Sequence, residues 1–193
     1  MTQGTAIFAP FVPVAPSKDE SDRVKLLNGE ILIETCSHTS GGGAVTAKMY
    51  LPVERSAVWL QITDYPRWVH YFPALTRSEV IPASSTKGGK RIYQAASKAF
   101  LMLTAQVEIY LRVFERVHQT AGHQIQFCME KGSFADFSAD LNLQDLQNGT
   151  LLTYSVRATP TIWVPSVLIQ EAMRMDLPHN LRRMRQVICE CFR

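Results

Sequence analysis

Apolar and polar residues alternate with a period of two along most of this chain, which is the pattern of half-buried β-strands. The longest alternation covers 101–113, and shorter ones cover 45–51, 125–129 and 152–156. Turn-forming residues separate these runs, at Gly41-Gly42-Gly43, Ala121-Gly122, Gly132-Ser133 and Asn148-Gly149. Consecutive strands joined by short turns predict an antiparallel meander.

Three segments depart from this alternation. Residues 53–63 predict a helix that begins just after Pro52, and Trp68–Phe72 predicts a second short helix beyond the break at Pro66. Residues 162–192 predict a long helix, because their apolar residues recur at spacings of four and three. These are Ile169, Met173, Leu177, Leu181, Met184, Ile188 and Cys191.

These elements predict an α+β domain with a helix-grip fold. A curved antiparallel sheet of about seven strands wraps around the long C-terminal helix, and two short helices follow the first strand. Residues 1–26 show no periodicity and contain Pro10, Pro13 and Pro16, so we expect a flexible N-terminal tail before a single domain over 27–193.

Composition narrows the class of protein only modestly. Of the 193 residues, 46% are hydrophobic and the net charge is +3, which suits a folded domain and argues against nucleic acid as a partner. The four cysteines show no metal-ligand spacing and are read as reduced thiols, which predicts a cytoplasmic location. We expect no signal peptide and no membrane span.

Four segments resemble the START-like (Bet v 1-like) superfamily, in its polyketide cyclase/dehydrase and coenzyme Q-binding branch. They are the strand-to-helix step Leu51–Trp59, the segment Phe72–Ser78, the hairpin Met129–Phe137 and the helix segment Asp176–Leu181. The chain most resembles the cyanobacterial and chloroplast members. It departs from the pattern at Ser133, where the branch usually has Asp, and at Pro178, inside a helix that normally lacks proline.

The resemblance implies a cavity between the sheet and the last helix. Strand parity and the helix stripe then select candidate ligand contacts, although the same positions would be ordinary core in any fold. From the sheet these are Val107, Ile109, Phe127, Met129, Tyr154 and Val156, and from the helix Ile169, Met173 and Leu177. Three roles remain open for the cluster of Trp68, Tyr71 and Phe72: it forms the lip of the cavity, it touches a membrane, or it plugs one end of the barrel. The same alternatives apply to Trp163 at the other end of the helix.

The sequence contains no nucleophile-and-base motif, no paired carboxylates and no predicted metal site or cofactor. A cyclase or dehydratase would need a proton-handling side chain in the cavity, and strand parity offers only Tyr93, Tyr154 and Arg157 as weak catalytic candidates. The five histidines fall in predicted turns or polar faces and are read as solvated.

The leading hypothesis is a non-enzymatic binding or carrier protein for a hydrophobic small molecule, such as a lipid, an isoprenoid quinone or a polyketide-like compound. The first alternative is a polyketide aromatase/cyclase or dehydratase. The third is an interaction module that binds a ribosome or protein through Arg182, Arg183 and Arg185 on the outer face of the last helix. The expected partners are the apolar ligand and, transiently, a membrane surface; the sequence leaves the oligomeric state open.

Overall fold

The computed structural model describes residues 18–37, 41–82, 88–100, 103–118, 122–161 and 165–192. The helices are α1 (Lys18–Leu27), α2 (Arg55–Ile62), α3 (Trp68–Tyr71) and α4 (Ser166–Glu190), with a single 3₁₀ turn at Tyr65–Arg67 before α3. The strands are β1 (Ile31–Ser37), β2 (Gly43–Leu51), β3 (Leu75–Ile81), β4 (Lys90–Phe100), β5 (Leu103–His118), β6 (Gly122–Gly132), β7 (Phe134–Leu146) and β8 (Gly149–Pro160).

The eight strands form one antiparallel sheet in the order β1-β2-β8-β7-β6-β5-β4-β3. Strands β3 to β8 are the predicted meander, and β2 pairs with β8 along its whole length, from Gly43 opposite Ala158 to Leu51 opposite Thr150. The predicted fold class, a curved antiparallel sheet with a long C-terminal helix, is confirmed. The sheet has one strand more than the expected seven, and the two short helices follow β2 because β1 precedes it as an edge strand.

Helix α4 lies across β1 and β2 and also contacts α3. Its 25 residues give a length of about 37 Å, and its buried stripe consists of Leu177, Leu181, Met184 and Ile188. Close approach to the sheet is possible because β2 begins with a glycine. A Cβ atom on Gly43 would lie 3.1 Å from the Met173 sulfur and 3.2 Å from Ile169 Cγ2.

Helix α1 occupies part of the segment that the sequence pattern assigns to the tail. It contacts β1 and β2, and its Leu26 is buried. The turn that follows is fixed to the other end of the chain, since Arg185 of α4 donates a hydrogen bond of 2.9 Å to the carbonyl of Gly29. The absence of periodicity before residue 27 therefore did not reveal a short helix that has only one buried position.

Replacement of Gly43 by valine tests the packing of α4 on β2. The added carbons have no room between the backbone of β2 and the side chains of Met173 and Ile169, so we expect unfolding free energy to fall by about 1–3 kcal/mol. Urea unfolding measures it. Gly41→Val is the control, because a Cβ on Gly41 meets no atom within 4 Å; equal losses in both variants would contradict this account.

Candidate functional site

The break after α2 is held by two aromatic side chains of α3. The last carbonyls of a helix lack partners within the helix and need donors from elsewhere. Trp68 Nε1 donates a hydrogen bond of 2.8 Å to the carbonyl of Ile62, and the Tyr71 hydroxyl donates one of 3.1 Å to the carbonyl of Gln61. Both aromatic residues are buried. Their polar atoms therefore serve the fold, and their rings are turned into the interior.

Tyr65 fixes the other side of this turn. Its hydroxyl donates to a carboxylate oxygen of Glu115 at 2.6 Å, and Lys90 Nζ donates to the same oxygen at 2.7 Å. Its backbone carbonyl accepts a hydrogen bond of 2.7 Å from the buried hydroxyl of Ser78. Burial, together with the Glu115 carboxylate, raises the pKa of Tyr65 well above its usual value, so this phenol stays neutral.

Five rings meet inside the sheet and form what we call the aromatic cluster. Trp68 is at its centre, with ring centroids 5.4 Å from Phe72, 5.2 Å from Phe127 and 6.4 Å from Tyr154. The Trp68 and Phe72 rings are stacked at 17°, whereas the Phe127 and Tyr154 contacts are edge-to-face. Tyr65 completes the cluster at 6.2 Å from Phe127. The cluster fills one end of the space that the sheet encloses.

An unfilled cleft of about 190 Å³ lies beside the aromatic cluster, between the inner face of the sheet and α4. The sheet supplies Phe137 from β7 and Tyr154 and Val156 from β8, and the residue after α3, Phe72, forms a further wall. Helix α4 supplies Met173, Asp176, Leu177 and Asn180, which share one helical face by their spacing of three, four and seven. The cleft is mostly apolar, with a few polar groups on the walls, as small-molecule sites are.

Tyr154 is the polar side chain of the sheet in this cleft. Only 6% of the residue is exposed, and its hydroxyl makes no hydrogen bond with the described part of the chain. Burial alone raises the pKa of Tyr154 far above its ordinary value, because the apolar surroundings disfavour the phenolate. Tyr154 is therefore a neutral hydrogen-bond donor that has no acceptor within the described part of the protein.

The structure brings five of the predicted ligand contacts together in the cleft, namely Phe72, Tyr154, Val156, Met173 and Leu177. Seven others lie outside it. Trp68, Tyr71, Ile109 and Phe127 are buried core, Val107 and Met129 are partly buried, and Ile169 packs near Gly43. Trp163 lies outside the described residues. Of the three alternatives for the aromatic turn, its position and hydrogen bonds agree with a plug at one end of the sheet.

Two of the three weak catalytic candidates point away from the cavity, which corrects that prediction. Tyr93 alternates with the buried Ile92 and Gln94, and its ring lies 5.0 Å from Tyr110 with the Arg77 guanidinium 5.2 Å above it. Arg157 alternates with Val156 and Ala158 and is exposed. Strand parity failed here because only the structure shows which of the two faces is concave. Tyr154 alone reaches the cleft.

Sequence reasoning missed three residues of the cleft, Phe137, Asp176 and Asn180. Phe137 shares the parity of Ala139 and Leu141, which are buried, so alternation in β7 carried the signal. Asp176 and Asn180 are polar and were therefore left off the apolar stripe of α4, although their spacing from Met173 places them on its edge. A search for polar residues that border a stripe would have found both.

Other surfaces fit an apolar ligand less well. A groove of about 520 Å³ at the C-terminal part of α4 is lined by Arg182, Arg185, Gln186, Cys189 and Phe192 together with Pro52 and Val53. It is larger than the cleft, but its arginines suit polar or anionic contacts. Within the described ranges, no group of three His, Cys, Asp or Glu side chains is placed to hold a metal ion. No helix among these residues is long and apolar enough to cross a membrane.

A sheet that grips one long helix around an apolar cleft defines the START-like, helix-grip class of proteins. The chain belongs to the family described as polyketide cyclase / dehydrase and lipid transport, whose model matches residues 51–185. This match begins at the end of β2 and ends within α4, so it includes every wall of the cleft. A comparison with curated protein sequences finds no match.

Solved structures support the same fold at low sequence identity. A START superfamily protein from Mycobacterium smegmatis superposes with a TM-score of 0.64 at 11% identity, covering 77% of this chain and 98% of that one. A STAR-related lipid transfer protein from Xanthomonas axonopodis gives 0.60 at 13%, covering 81% and 98%. Human STARD10 gives 0.60 at 11%, covering 92% and 81%. These likenesses establish the fold alone, and they do not distinguish the branch that the sequence most resembles.

The burial of the Tyr71 hydroxyl predicts that the free energy of unfolding decreases at alkaline pH. Burial raises the pKa of Tyr71 to about 12, and the nearby Arg67 guanidinium only partly offsets this. The unfolded chain loses the proton near pH 10, so the stabilisation is complete below pH 10 and is lost as pH rises towards 12. In urea unfolding at pH 9, 10 and 11, Tyr71→Phe should reduce the total fall in unfolding free energy between pH 9 and pH 11 by about 1.4 kcal/mol, most of it above pH 10. Parallel pH profiles for the two proteins would contradict it.

Proposed function

We propose that this protein binds and carries a hydrophobic small molecule in the cleft between β7, β8 and α4. One observation carries the proposal: the cleft is an unfilled, largely apolar space bounded by Phe72, Val156, Met173 and Leu177, beside the buried core of the domain. Small-molecule sites are concave and mostly apolar, with a few polar groups on their walls. A cleft with this lining therefore supports a role in binding, and the family to which the chain belongs includes lipid transport in its description.

The binding energy would come from apolar burial. A ligand in the cleft would cover side chains of β8 and α4 that now border the open space, and each Å² of apolar surface removed from water contributes about 25 cal/mol before the costs of association. Helix α4 is suited to admit the ligand. Its first half carries exposed apolar residues, with Val167 72%, Leu168 52% and Met175 70% exposed, whereas its second half holds the buried Leu181, Met184 and Ile188. The first half is thus the part of the helix with less packing to lose when the cleft opens.

The placement of the polar side chains favours a carrier protein over an enzyme. With Tyr93 and Arg157 on the outer face, Tyr154 is the one remaining proton-handling candidate from the earlier set, and acid–base chemistry generally requires a second group. A cyclase or dehydratase stands as the second proposal, because Asp176 and Tyr154 line the same cleft. Its test is turnover of a poly-β-keto thioester: turnover by the unaltered protein that is lost in Asp176→Asn would support the enzyme, and no turnover by the unaltered protein would reject it.

Filling the cleft tests the location of the site. Val156→Phe places a ring in the space between β8 and α4, so we expect roughly tenfold weaker binding of the neutral fluorescent probe N-phenyl-1-naphthylamine. Titration of the fluorescence measures the dissociation constant. Met175→Phe is the matched control, since it adds a ring to an exposed position of the same helix. Equal affinity in the Val156 variant and the unaltered protein would place the probe outside the cleft.

Native mass spectrometry of gently purified protein, followed by organic extraction, identifies any ligand retained from the cell. We expect a discrete apolar compound whose mass difference disappears after extraction. The Val156→Phe protein should lose this compound, while the Met175→Phe protein should keep it. A compound retained equally by both variants would be bound elsewhere.

A further inference from the structure

The hydroxyl of Tyr154 is a polar group with which a ligand in the cleft can form a hydrogen bond. The ring of Tyr154 is held by edge contact with Trp68 and by Phe72, at centroid distances of 6.4 and 6.2 Å, so its position in the cleft wall is fixed by packing. The hydroxyl has no hydrogen-bond partner among the described residues. It is not among the described side-chain atoms that are both fully buried and without a partner, so it is accessible from the cleft. A phenylalanine here would keep the ring contacts, so the packing of the domain does not require the hydroxyl.

The other buried tyrosines of the interior show the contrast. The Tyr65 hydroxyl donates to Glu115, and the Tyr71 hydroxyl donates to the carbonyl of Gln61. Both phenols are needed by the fold. Tyr154 is the member of this group whose hydroxyl borders open space, and the raised pKa that burial gives it keeps the proton available for donation.

The walls of the cleft also limit the charge and size of the ligand. No Lys, Arg or His is among the described residues that line it, so an anionic head group would have no cation to pair with there. The volume of about 190 Å³ is below the 300–1,000 Å³ typical of pockets for drug-sized molecules, so the cleft can cover a compact ligand but not the length of two acyl chains.

We propose that the ligand is a compact, neutral, apolar compound with a carbonyl oxygen, and that this oxygen accepts a hydrogen bond from Tyr154. The inference rests on the proposed function, because it names the ligand class for the same cleft. It excludes two broad classes that apolar lining alone would admit, fatty acids and diacyl lipids. The walls of β8 and α4 provide apolar contact for one or two rings, and Tyr154 provides selection for the carbonyl.

A matched pair of probes tests the carbonyl. 1-Tetralone and tetralin share a two-ring skeleton and differ in the carbonyl, and both can be measured by displacement of N-phenyl-1-naphthylamine. We expect 1-tetralone to bind the unaltered protein roughly three- to tenfold more tightly than tetralin. Tyr154→Phe should remove this preference by weakening the binding of 1-tetralone. Tyr93→Phe, on the outer face of the sheet, should keep it.

Stability measurements separate a binding effect from a folding effect. Because the Tyr154 hydroxyl makes no hydrogen bond within the described residues, Tyr154→Phe should unfold at the same urea concentration as the unaltered protein, or a higher one. Tyr71→Phe, which loses its bond to Gln61, should unfold at a lower one. A destabilised Tyr154→Phe protein would show that the hydroxyl serves the fold, and it would overturn the inference.

The outcomes distinguish the inference from the function on which it rests. If both probes bind with equal affinity and Val156→Phe weakens the binding of both, the cleft binds apolar ligands but does not distinguish ligands that have a carbonyl group from those that lack one. Uptake of dioleoylphosphatidylcholine from vesicles in competition with 1-tetralone would likewise reject the compact class alone. If Val156→Phe weakens neither probe, or neither displaces the fluorophore, the proposed site itself is rejected.

Discussion

Strand β2 pairs along all nine of its residues with β8, which the chain reaches only after the whole meander is complete. This pairing joins the β1–β2 hairpin to the meander β3 to β8 and places Gly43 beneath Met173 and Ile169 of α4. It also positions Thr150, whose buried hydroxyl donates a hydrogen bond of 2.7 Å to the carbonyl of Val53 just before α2. Without the pairing, neither the helix that covers the sheet nor the helix that leads into the aromatic turn would have a fixed place.

The space between the sheet and α4 contains the packed aromatic cluster and the open cleft beside it. The boundary between them depends on which aromatic side chains have hydrogen-bond partners in the protein. Trp68 and Tyr71 satisfy carbonyls at the end of α2, which holds their rings inward and builds the aromatic cluster. Tyr154 contributes its ring to this cluster and its hydroxyl to the neighbouring cleft. One side chain therefore belongs both to the part that stabilises the domain and to the part suited to a ligand. The packed part gives the open part a rigid wall.

The sequence predicted the fold well, because alternation in β5 and the four-and-three spacing in α4 are strong signals of single elements. It predicted part of the cleft for the same reason: Val156, Met173 and Leu177 follow directly from period and parity. It failed where the answer depends on how elements meet. Sheet curvature decides which face is concave, and it places Tyr93 and Arg157 on the outer face. Trp68 belongs to the core because its indole N–H donates a hydrogen bond to a carbonyl six residues earlier in the chain. Such long-range or irregular contacts leave no periodic signature.

Every wall of the cleft except Phe72 comes from β7, β8 and α4, which are the last elements of the described chain. During synthesis the aromatic turn and the strands β3 to β6 emerge first, with β2 still lacking its neighbour β8. Ribosomes add residues in sequence, and the early segments must remain unaggregated until their partners appear. The capacity to hold a ligand is thus acquired only after α4 has been synthesised, and a polypeptide released before α4 would expose the inner face of the sheet, including Phe127 and Tyr154, to water.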